Sequence, residues 1–297
     1  MTSQAKLLRD LMKSKPLVKV CGAYDSMSAK LVELAGFDVI WSGSFAVSAS
    51  HGVPDASILT MTEFFDAAKK MVENCKIPVL ADCDTGYGGP SNVRHMVKTY
   101  ERAGIAGISI EDKMFPKQNS LLNNGKQDLL SEREFVGKIL TAVDAKEDPD
   151  FVIIARIEAL IAGSGMEEAI RRADAYEKAG ADAIVIHSKQ KTPDEVFEFA
   201  DTWGGSLPLI SIPTTYDSVT IDELISHQFK FAIYANQTLR VAHASITKML
   251  KQMVDAKSMG EVNDQLSSME DIFKIQKMFE LKDQEIILEQ KFKKLGY

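Results

Sequence analysis

The sequence predicts a (β/α)8 barrel, in which eight parallel strands close into a barrel that helices surround. The chain has 297 residues and is 45% hydrophobic, and along it eight short apolar runs alternate with eight amphipathic stretches. Near-continuous apolar runs are typical of parallel strands that helices cover. Eight such units in about 250 residues match the size of this barrel. A doubly wound open sheet is the alternative, because a count of units does not prove closure.

A repeated phrase marks the places where helices pass into strands. An amphipathic stretch ends at a glycine, and an apolar run follows, in ELAGFDVIWSGS, ERAGIAGISIED and EKAGADAIVIHS at residues 33–44, 101–112 and 177–188. Glycine readily adopts the left-handed conformation that ends a helix. Each phrase therefore predicts a helix, a short loop and a buried strand.

The predicted elements alternate in order along the chain. Strands are expected within residues 17–23, 33–44, 77–84, 101–112, 151–158, 177–188, 207–213 and 229–235. Helical patterns cover about residues 26–35, 62–74, 91–103, 132–145, 166–179, 193–202, 219–226 and 237–256. The barrel is therefore expected within residues 1–257.

The remaining residues, 258–297, are expected to form a helical extension. Ser268 and Asp271 have the spacing of a capping box, and Ile272, Phe273 and Met278 follow at helical spacing in a charged background. One or two helices are expected. Their apolar face needs a partner, which is either their own barrel or a neighbouring subunit.

Charge and composition exclude several classes of protein. Lys and Arg total 35 against 42 Asp and Glu, so the net charge is −7, and its even spread argues against a nucleic-acid surface. No run approaches the ~18 apolar residues of a membrane span, and the first residues lack a signal core, so a cytoplasmic protein is expected. Cys21, Cys75 and Cys83 have no CxxC spacing and indicate neither a disulfide framework nor a zinc site.

Polar side chains follow the strands at the end of the barrel where such enzymes place their chemistry. They are Asp82, Asp84, Glu111, Asp112, Arg156, Glu158, His187, Ser188 and Asn236. Carboxylates are hard ligands that suit Mg²⁺, so Asp82, Asp84 and Glu111 form a candidate metal site. The alternative for Asp82 or Asp84 is that it caps the following helix.

Two cationic or neutral side chains at strand ends are candidates for binding an anion. The planar guanidinium of Arg156 matches a carboxylate or a phosphate, and its alternative role is a salt bridge to Glu158. His187 either donates to an anionic oxygen or is a structural residue.

A long segment, residues 112–131, separates the fourth predicted strand from the next helix. Such a length in a compact domain usually marks a lid or a binding loop. Lys113, Lys117 and Asn119 lie on it. The segment is expected to close over an anion and exclude water, and a basic surface loop is the alternative.

Five motifs make a family resemblance specific. DCDTGYG, EDKMFPKQNS, ARIEALIAG, AGADAIVIHSK and DIFKIQ, at residues 82–88, 111–120, 155–163, 179–189 and 271–276, resemble the phosphoenolpyruvate mutase branch of the isocitrate lyase superfamily. The resemblance implies an Mg²⁺-dependent isomerase that interconverts phosphoenolpyruvate and phosphonopyruvate, as a homotetramer or homodimer whose C-terminal helices exchange between subunits.

Two other activities within the superfamily stay open. Related phosphonopyruvate hydrolases tend to carry Thr where this chain has Asn119, so that position favours the mutase. A lyase that cleaves a C–C bond in a 2-oxo or 2-hydroxy acid is the other alternative, although the loop lacks the KxCGH segment of those enzymes.

The resemblance also implies roles for individual residues. Asp82 would hold the metal directly, and Asp84 and Glu111 would act largely through its waters. Arg156 and His187 would contact the phosphoryl group, with Asp55 nearby. The gating loop would contribute Lys117, Asn119, Ser120 and Leu121, so that the candidate catalytic residues are Asp55, Lys117, Asn119, Arg156 and His187.

The first two strand ends depart from the mutase pattern. They read GAYD and SGSFA, at residues 22–25 and 42–46, and Gly43 stands where mutases carry a serine. Ser42, Ser44 or the backbone N–H groups of residues 43–45 must then supply the contact, which bears on the identity of the substrate. The candidate substrate-binding residues are Trp41, Ser42, Gly43, Ser44, Phe45, Ser120, Leu121 and Asn236.

Overall fold

The computed structural model describes residues 3–122, 124–125 and 127–297. Eight parallel strands close into a barrel in the order β1 to β8, each paired with its neighbours in sequence and β8 with β1. The strands are β1 Val18–Ala23, β2 Val39–Ser42, β3 Val79–Asp82, β4 Gly107–Glu111, β5 Val152–Ile157, β6 Ala183–Ile186, β7 Leu209–Ser211 and β8 Phe229–Tyr234. The predicted barrel is confirmed, and the open sheet is excluded.

Helices follow the strands around the barrel and continue beyond it. They are α1 Gln4–Ser14, α2 Ser26–Leu34, α3 Ser44–Ser50, α4 Met61–Asn74, α5 Pro90–Arg102, α6 Glu132–Ala145, α7 Ala159–Ala162, α8 Met166–Lys178, α9 Asp194–Thr202, α10 Ile221–Ser226, α11 Gln237–Asp255, α12 Met269–Ile275 and α13 Met278–Leu295. In the described part of the chain, no helix is long and apolar enough to cross a membrane.

The barrel has an inner and an outer apolar layer because successive strand residues point to opposite faces. The inner layer includes Val20, Leu80 and Phe231. The outer layer joins strand residues such as Ile108 to helix residues such as Phe135. Burying a large apolar side chain contributes about 1.5–3 kcal/mol, so both layers hold the strand ends in fixed positions.

Helix α1 lies across the amino-terminal end of the barrel, where the sequence predicted no element. Leu8 packs into the inner layer. Arg9 donates to the carbonyl oxygens of Asp150 and Phe151, just before β5, and its guanidinium pairs with Asp182, just before β6, at 2.7 Å. The apolar stripe of this helix faces the barrel, and this leaves the opposite end for the polar strand ends.

Glycine is required where the first and last strands meet. A Cβ atom on Gly22 of β1 would overlap the carbonyl oxygen of Ala235, which follows β8. The hydroxyl of Thr238 donates to the Gly22 carbonyl at 2.6 Å. The close approach of the two backbones therefore closes the barrel at this point.

The chain divides into two compact units, of which the first ends at Leu239 and the second is Arg240–Tyr297. The division falls within α11. In the second unit the Ser268 hydroxyl accepts from the Asp271 backbone and begins α12, and the rings of Phe273 and Phe279 pack edge to face. One or two helices were expected near the C-terminus, and two are present; the boundary expected after residue 257 stays a prediction.

Candidate active site

The predicted polar residues meet at the carboxyl ends of β3 to β6. Asp82 ends β3, Glu111 ends β4, Arg156 lies near the end of β5, and His187 directly follows β6. Glu111 is the direct register partner of Arg156 in the neighbouring strand. Because parallel neighbours are in register, the barrel brings these four side chains to one edge.

The turn after β3 places two carboxylates in different environments. Asp82 is half-buried and accepts from the Ser44 hydroxyl at 3.1 Å. Asp84 is buried, has a left-handed backbone with φ +48°, and its carbonyl oxygen accepts from the Glu111 backbone at 2.8 Å. Helix α5 begins at Gly89 instead, so the capping alternative for the two aspartates is wrong.

The segment after β4 folds over the strand ends and buries Lys113, Lys117 and Ser120. Lys113 pairs with Leu129 in a short antiparallel bridge. Lys117 is only 6% exposed, and its ammonium lies 2.8 Å from Asp55 and 3.0 Å from Asp84. The Asn119 amide donates to the other oxygen of Asp55 at 2.8 Å. The basic-surface-loop alternative is wrong for Lys113 and Lys117, because both are buried.

Burial and neighbouring charge set the protonation of this group. Burial alone would lower the pKa of Lys117, but Asp84, Glu111 and Asp55 outweigh burial and raise that pKa well above its usual value. Burial raises the pKa of Asp84, opposed by Lys117. Burial likewise raises the pKa of Glu111 to about 7, although Arg156 opposes it. The site therefore holds a protonated lysine beside two buried carboxylates with raised pKa values. A further cation nearby would stabilise the anionic forms of these carboxylates.

Arg156, Glu158 and His187 form a second buried group. The Arg156 Nε lies 2.5 Å from Glu158 Oε1 and 3.4 Å from Glu111 Oε2. The His187 Nδ1 lies 2.8 Å from Glu158 Oε1 and 2.8 Å from an Arg156 nitrogen. The salt bridge of Arg156 with Glu158 is present, and it leaves the guanidinium beside Glu111.

Glu158 and Lys113 are buried polar residues of this site that were not among the predicted catalytic, substrate-binding or metal-binding residues. Glu158 is fully buried, and Lys113 is 1% exposed. Glu158 follows β5 and was considered only as a partner of Arg156, and Lys113 only as a loop cation. The one signal in the sequence was their place in the motifs that contain Arg156 and Lys117.

The candidate substrate-binding residues divide into buried and exposed ones. Ser42, Ser44 and Ser120 are buried, whereas Phe45 and Leu121 are 40% and 36% exposed. Trp41 is buried within the inner layer of the barrel. Asn236 is half-buried after β8, and its side-chain oxygen is buried.

Gly43 lies against the indole of Trp41. A Cβ atom on Gly43 would lie 3.0 Å from Trp41 Cδ1 and 3.1 Å from Nε1. A serine at this position would need the indole to shift. The departure from the mutase pattern thus has a local steric reason. Gly43 also precedes α3 directly, a short helix that the sequence did not predict.

Cys83 packs away from the carboxylates, as its place between Asp82 and Asp84 predicts. It is fully buried in the outer layer of the barrel. Burial raises the pKa of its thiol well above the usual value. A neutral, buried thiol is unsuited to catalysis.

The donor set fits a magnesium ion better than a metal with many protein ligands. Among residues 3–122, 124–125 and 127–297, no three His, Cys, Asp or Glu side chains form a ready cluster. Mg²⁺ keeps several waters and uses few carboxylates. Within the same residues, the buried Glu111 Oε1 atom lacks a hydrogen-bond partner, which suits it to accept from a metal-bound water.

The chain is similar in sequence to a known enzyme family and to a known hydrolase. A family model described as phosphoenolpyruvate phosphomutase matches residues 8–254. The phosphonopyruvate hydrolase of Variovorax sp. (strain Pal2) is 43% identical over 270 residues, which cover 91% of this chain and 93% of that protein.

Two solved structures have the same fold with high similarity. Phosphoenolpyruvate phosphomutase from Streptomyces platensis subsp. rosaceus has a TM-score of 0.93 and 44% identity, over 95% of this chain and 98% of that one. A phosphonopyruvate hydrolase in complex with oxalate and Mg²⁺ has a TM-score of 0.90 and 39% identity, over the same shares. The chain is thus similar to enzymes of both activities.

Proposed function

Because the chain belongs to the phosphoenolpyruvate phosphomutase family of the isocitrate lyase superfamily, we propose that it interconverts phosphoenolpyruvate and phosphonopyruvate. Its active site is the group of polar side chains at the carboxyl ends of β3 to β6, together with Lys117 and Asn119 of the loop that follows β4. The observation that carries the proposal is the burial of Lys117 against Asp55 and Asp84, with the half-buried Asn119 donating to Asp55, because this chemistry needs a dry site.

The proposed reaction moves a phosphoryl group from oxygen to carbon within one substrate. The bond between phosphorus and the enol oxygen breaks, and its electron pair stays on the oxygen of a pyruvate enolate. The methylene carbon of the enolate then attacks phosphorus and forms the C–P bond, with no net gain or loss of atoms. Phosphoryl transfer of this kind passes through a loose, metaphosphate-like transition state.

Several side chains stabilise the charge that this transition state spreads over the phosphoryl oxygens. Arg156 supplies a planar fork of donors, and His187 and Asn119 supply further polar contacts. Lys117 keeps its charge because Asp84, Glu111 and Asp55 surround it. Asp55 is paired with both Lys117 and Asn119, so it positions the two loop residues.

Magnesium is the proposed cofactor, with Asp82 as its protein ligand and Asp84 and Glu111 accepting from its waters. When bound, a divalent ion of this kind stabilises negative charge on substrate oxygens. Ser44 donates to Asp82 and fixes its orientation. The half-buried Asp82 is the least enclosed of the three carboxylates, which suits a direct ligand.

The loop residues are proposed to exclude water, which would otherwise capture the phosphoryl group. Phosphonopyruvate would then become pyruvate and phosphate, which is the hydrolase reaction and the second candidate function. The 43% identity to a hydrolase supports that alternative, and Asn119 supports the mutase. A C–C lyase is the third candidate.

The first experiment is phosphorus NMR of the purified protein with Mg²⁺ and phosphonopyruvate, with Asp82→Ala as the control. A phosphoenolpyruvate signal that the control lacks is the expected result. Inorganic phosphate with pyruvate would replace the mutase by the hydrolase, and an unchanged spectrum would direct attention to the lyase substrates.

We also propose that the protein is a cytoplasmic homodimer or homotetramer. Leu281, Ile287 and Leu288 of α13 are about half exposed. In the described residues of α11, α12 and α13, no side chain is fully buried. An apolar face of this extent calls for a partner, and the proposed partner is a second copy of the chain.

A further inference from the structure

Glu158 joins the loop to the strand ends through short contacts to both. On the loop side, its Oε2 accepts from the Ser120 hydroxyl at 2.6 Å and lies 3.5 Å from the Lys113 ammonium. On the strand side, its Oε1 lies 2.5 Å from Arg156 Nε and 2.8 Å from His187 Nδ1. One carboxylate thus uses a different oxygen for each side.

Lys113 and Ser120 hold the loop in the shape that presents Lys117 and Asn119. The Lys113 ammonium donates to the Gln118 carbonyl at 2.8 Å and to the Ser120 hydroxyl at 2.7 Å. Gln118 lies between the two presented residues in sequence. The Ser120 hydroxyl uses its hydrogen for Glu158 and its lone pair for Lys113, so its capacity as a donor is taken.

The strand side fixes the position of the His187 ring. Burial would raise the pKa of Glu158, but Arg156 and His187 outweigh burial and keep that pKa well below its usual value. The His187 Nδ1 lies 2.8 Å from Glu158 Oε1 and 2.8 Å from an Arg156 nitrogen. The carboxylate and the guanidinium together therefore hold the imidazole in one orientation.

We infer that Glu158 is a positioning residue that couples the closed loop to the orientation of Arg156 and His187. The inference rests on the proposed function for its catalytic meaning, since those two side chains are proposed to contact the phosphoryl group. When the loop is in place, Ser120 and Lys113 hold the carboxylate, and the carboxylate holds the guanidinium and the imidazole. When the loop leaves, both contacts on the Oε2 side are lost together.

The test substitutes a residue on the loop side of Glu158 and measures the effect on His187, which lies on the strand side. Ser120→Ala removes the hydroxyl between Lys113 and Glu158, and this hydroxyl also accepts from an Arg156 nitrogen at 3.3 Å. The ring ¹⁵N signals of His187 are recorded by NMR in the substrate-free protein. His187 is identified by the signal that is missing from a His187→Gln protein. We expect the His187 signals to shift in Ser120→Ala, and amide exchange at residues 113–122 to become about tenfold faster for one lost hydrogen bond.

A matched control removes a buried serine hydroxyl that is outside this group. The Ser211 hydroxyl at the end of β7 lies 3.0 Å from the Tyr216 hydroxyl, and we expect Ser211→Ala to leave both the His187 signals and the loop exchange unchanged. His187 signals at wild-type positions in Ser120→Ala would overturn the coupling.

A second variant changes the carboxylate itself. Glu158→Gln keeps the shape of the side chain and removes its charge, so it should shift the His187 signals and speed loop exchange in the same protein. Unchanged exchange in Glu158→Gln overturns the inference. If this variant does not fold, Lys113→Met takes its place beside Ser120→Ala, because the Lys113 ammonium lies 3.5 Å from Glu158 Oε2, and unchanged His187 signals in Lys113→Met overturn the inference.

Steady-state kinetics with phosphonopyruvate distinguish a failure of this inference from a failure of the proposed function. With Mg²⁺ and phosphonopyruvate, a positioning role lowers kcat more than it raises KM in Ser120→Ala, by about tenfold. If wild-type protein does not turn over phosphonopyruvate, the proposed function fails, and the NMR and exchange results still decide the coupling.

Discussion

Most of the charged residues of this site are buried, and they are stabilised by the oppositely charged side chains that they contact. Lys117 is a loop residue whose ammonium reaches carboxylates from two other segments. The position of Asp82, Asp84 and Glu111 could be predicted because polar residues that end apolar runs must meet at one edge of a barrel. The pairing of Lys117 with Asp55 could not, because it depends on how a long loop folds. Which partner a buried lysine takes is decided by tertiary structure.

Replacing Lys117 tests the charge that the loop brings to the site. We expect Lys117→Met to lower kcat by about 100-fold or more, because a donor that stabilises developing phosphoryl charge is lost. Steady-state rates with phosphonopyruvate and Mg²⁺ measure this. Lys70 is an exposed lysine of α4, and Lys70→Met should keep the wild-type rate. Equal rates in the two variants would contradict the role of Lys117.

Gly43 offers a steric test at the level of one residue. We expect Gly43→Ser to destabilise the protein by about 1–3 kcal/mol, because its side chain meets the Trp41 indole at 3.0 Å. Urea denaturation followed by tryptophan fluorescence measures the change. In the part of the chain that is described, nothing lies within 4 Å of a Cβ on Gly204, so Gly204→Ser should have little effect. A serine tolerated at both positions would show that the indole can move.

The loop after β4 is held at both ends by buried groups on other elements. Arg172 of α8 contacts both ends, because it donates to Asp112 at the start of the loop at 2.9 Å and to the Leu130 carbonyl at its far end at 2.8 Å. Asp112 also accepts from the Glu158 backbone at 2.9 Å and from the Tyr176 hydroxyl at 2.7 Å. The presence of a functional loop could be predicted from its length. Its anchors could not, because they come from a helix more than 40 residues later in the chain.

Arg172 and its neighbour provide a matched pair of variants on one helix. We expect Arg172→Met to cost about 3–5 kcal/mol, because it leaves the buried Asp112 without its charged partner. Arg171 is 55% exposed and pairs with Glu168 at 2.7 Å, so Arg171→Met should cost about 0–1 kcal/mol. The midpoints of chemical denaturation compare the two. A cost for Arg172→Met as small as that for Arg171→Met would mean that the anchor contributes little to stability.

Lys138 of α6 supports the turn after β3 and gives the protein a pH dependence. Its ammonium donates to the Thr85 carbonyl at 2.7 Å, and burial lowers its pKa from 10.5 to about 8. In the window between these values the unfolded chain binds more protons than the folded protein. Stability due to this residue therefore rises as the pH increases through the window.

The unfolding free energy of the wild type minus that of Lys138→Met measures this effect. We expect this difference to increase by about 1.4 kcal/mol for each unit of rising pH between the pKa of the folded protein, about 8, and that of the unfolded chain, 10.5. Urea denaturation of both proteins at several pH values provides the measurement. Parallel curves for the two proteins would show that Lys138 titrates normally in the folded state.

The whole molecule shows which parts of the architecture follow from pattern alone. Apolar runs and helical periods predicted the strands and the helices that cover them. Helix α1 was missed because its residues were considered only as a possible leader, and α3 and α7 because each is too short to establish a helical period. Closure at Gly22 depends on a contact between residues more than 200 positions apart, which no local pattern encodes.

Assembly is the prediction that belongs to this scale. We expect light scattering to give a mass two or four times that of one chain. Ile287→Lys should lower this mass, because it places a charge on the apolar face of α13, whereas Glu289→Lys, at an exposed position on the opposite side of the same helix, should not. A wild-type monomer would refute the proposed exchange of helices.

The left-handed backbone of Asp84 restricts how this site can change in evolution. With φ at +48°, the position accepts aspartate, asparagine and glycine far more readily than other residues. Glutamate, the usual replacement that preserves charge, is thereby disfavoured. A single base change converts an aspartate codon to an asparagine codon, so descendants of this chain would most easily lose the carboxylate while keeping the fold intact. An inactive relative with asparagine at this position is the form that such a lineage would take.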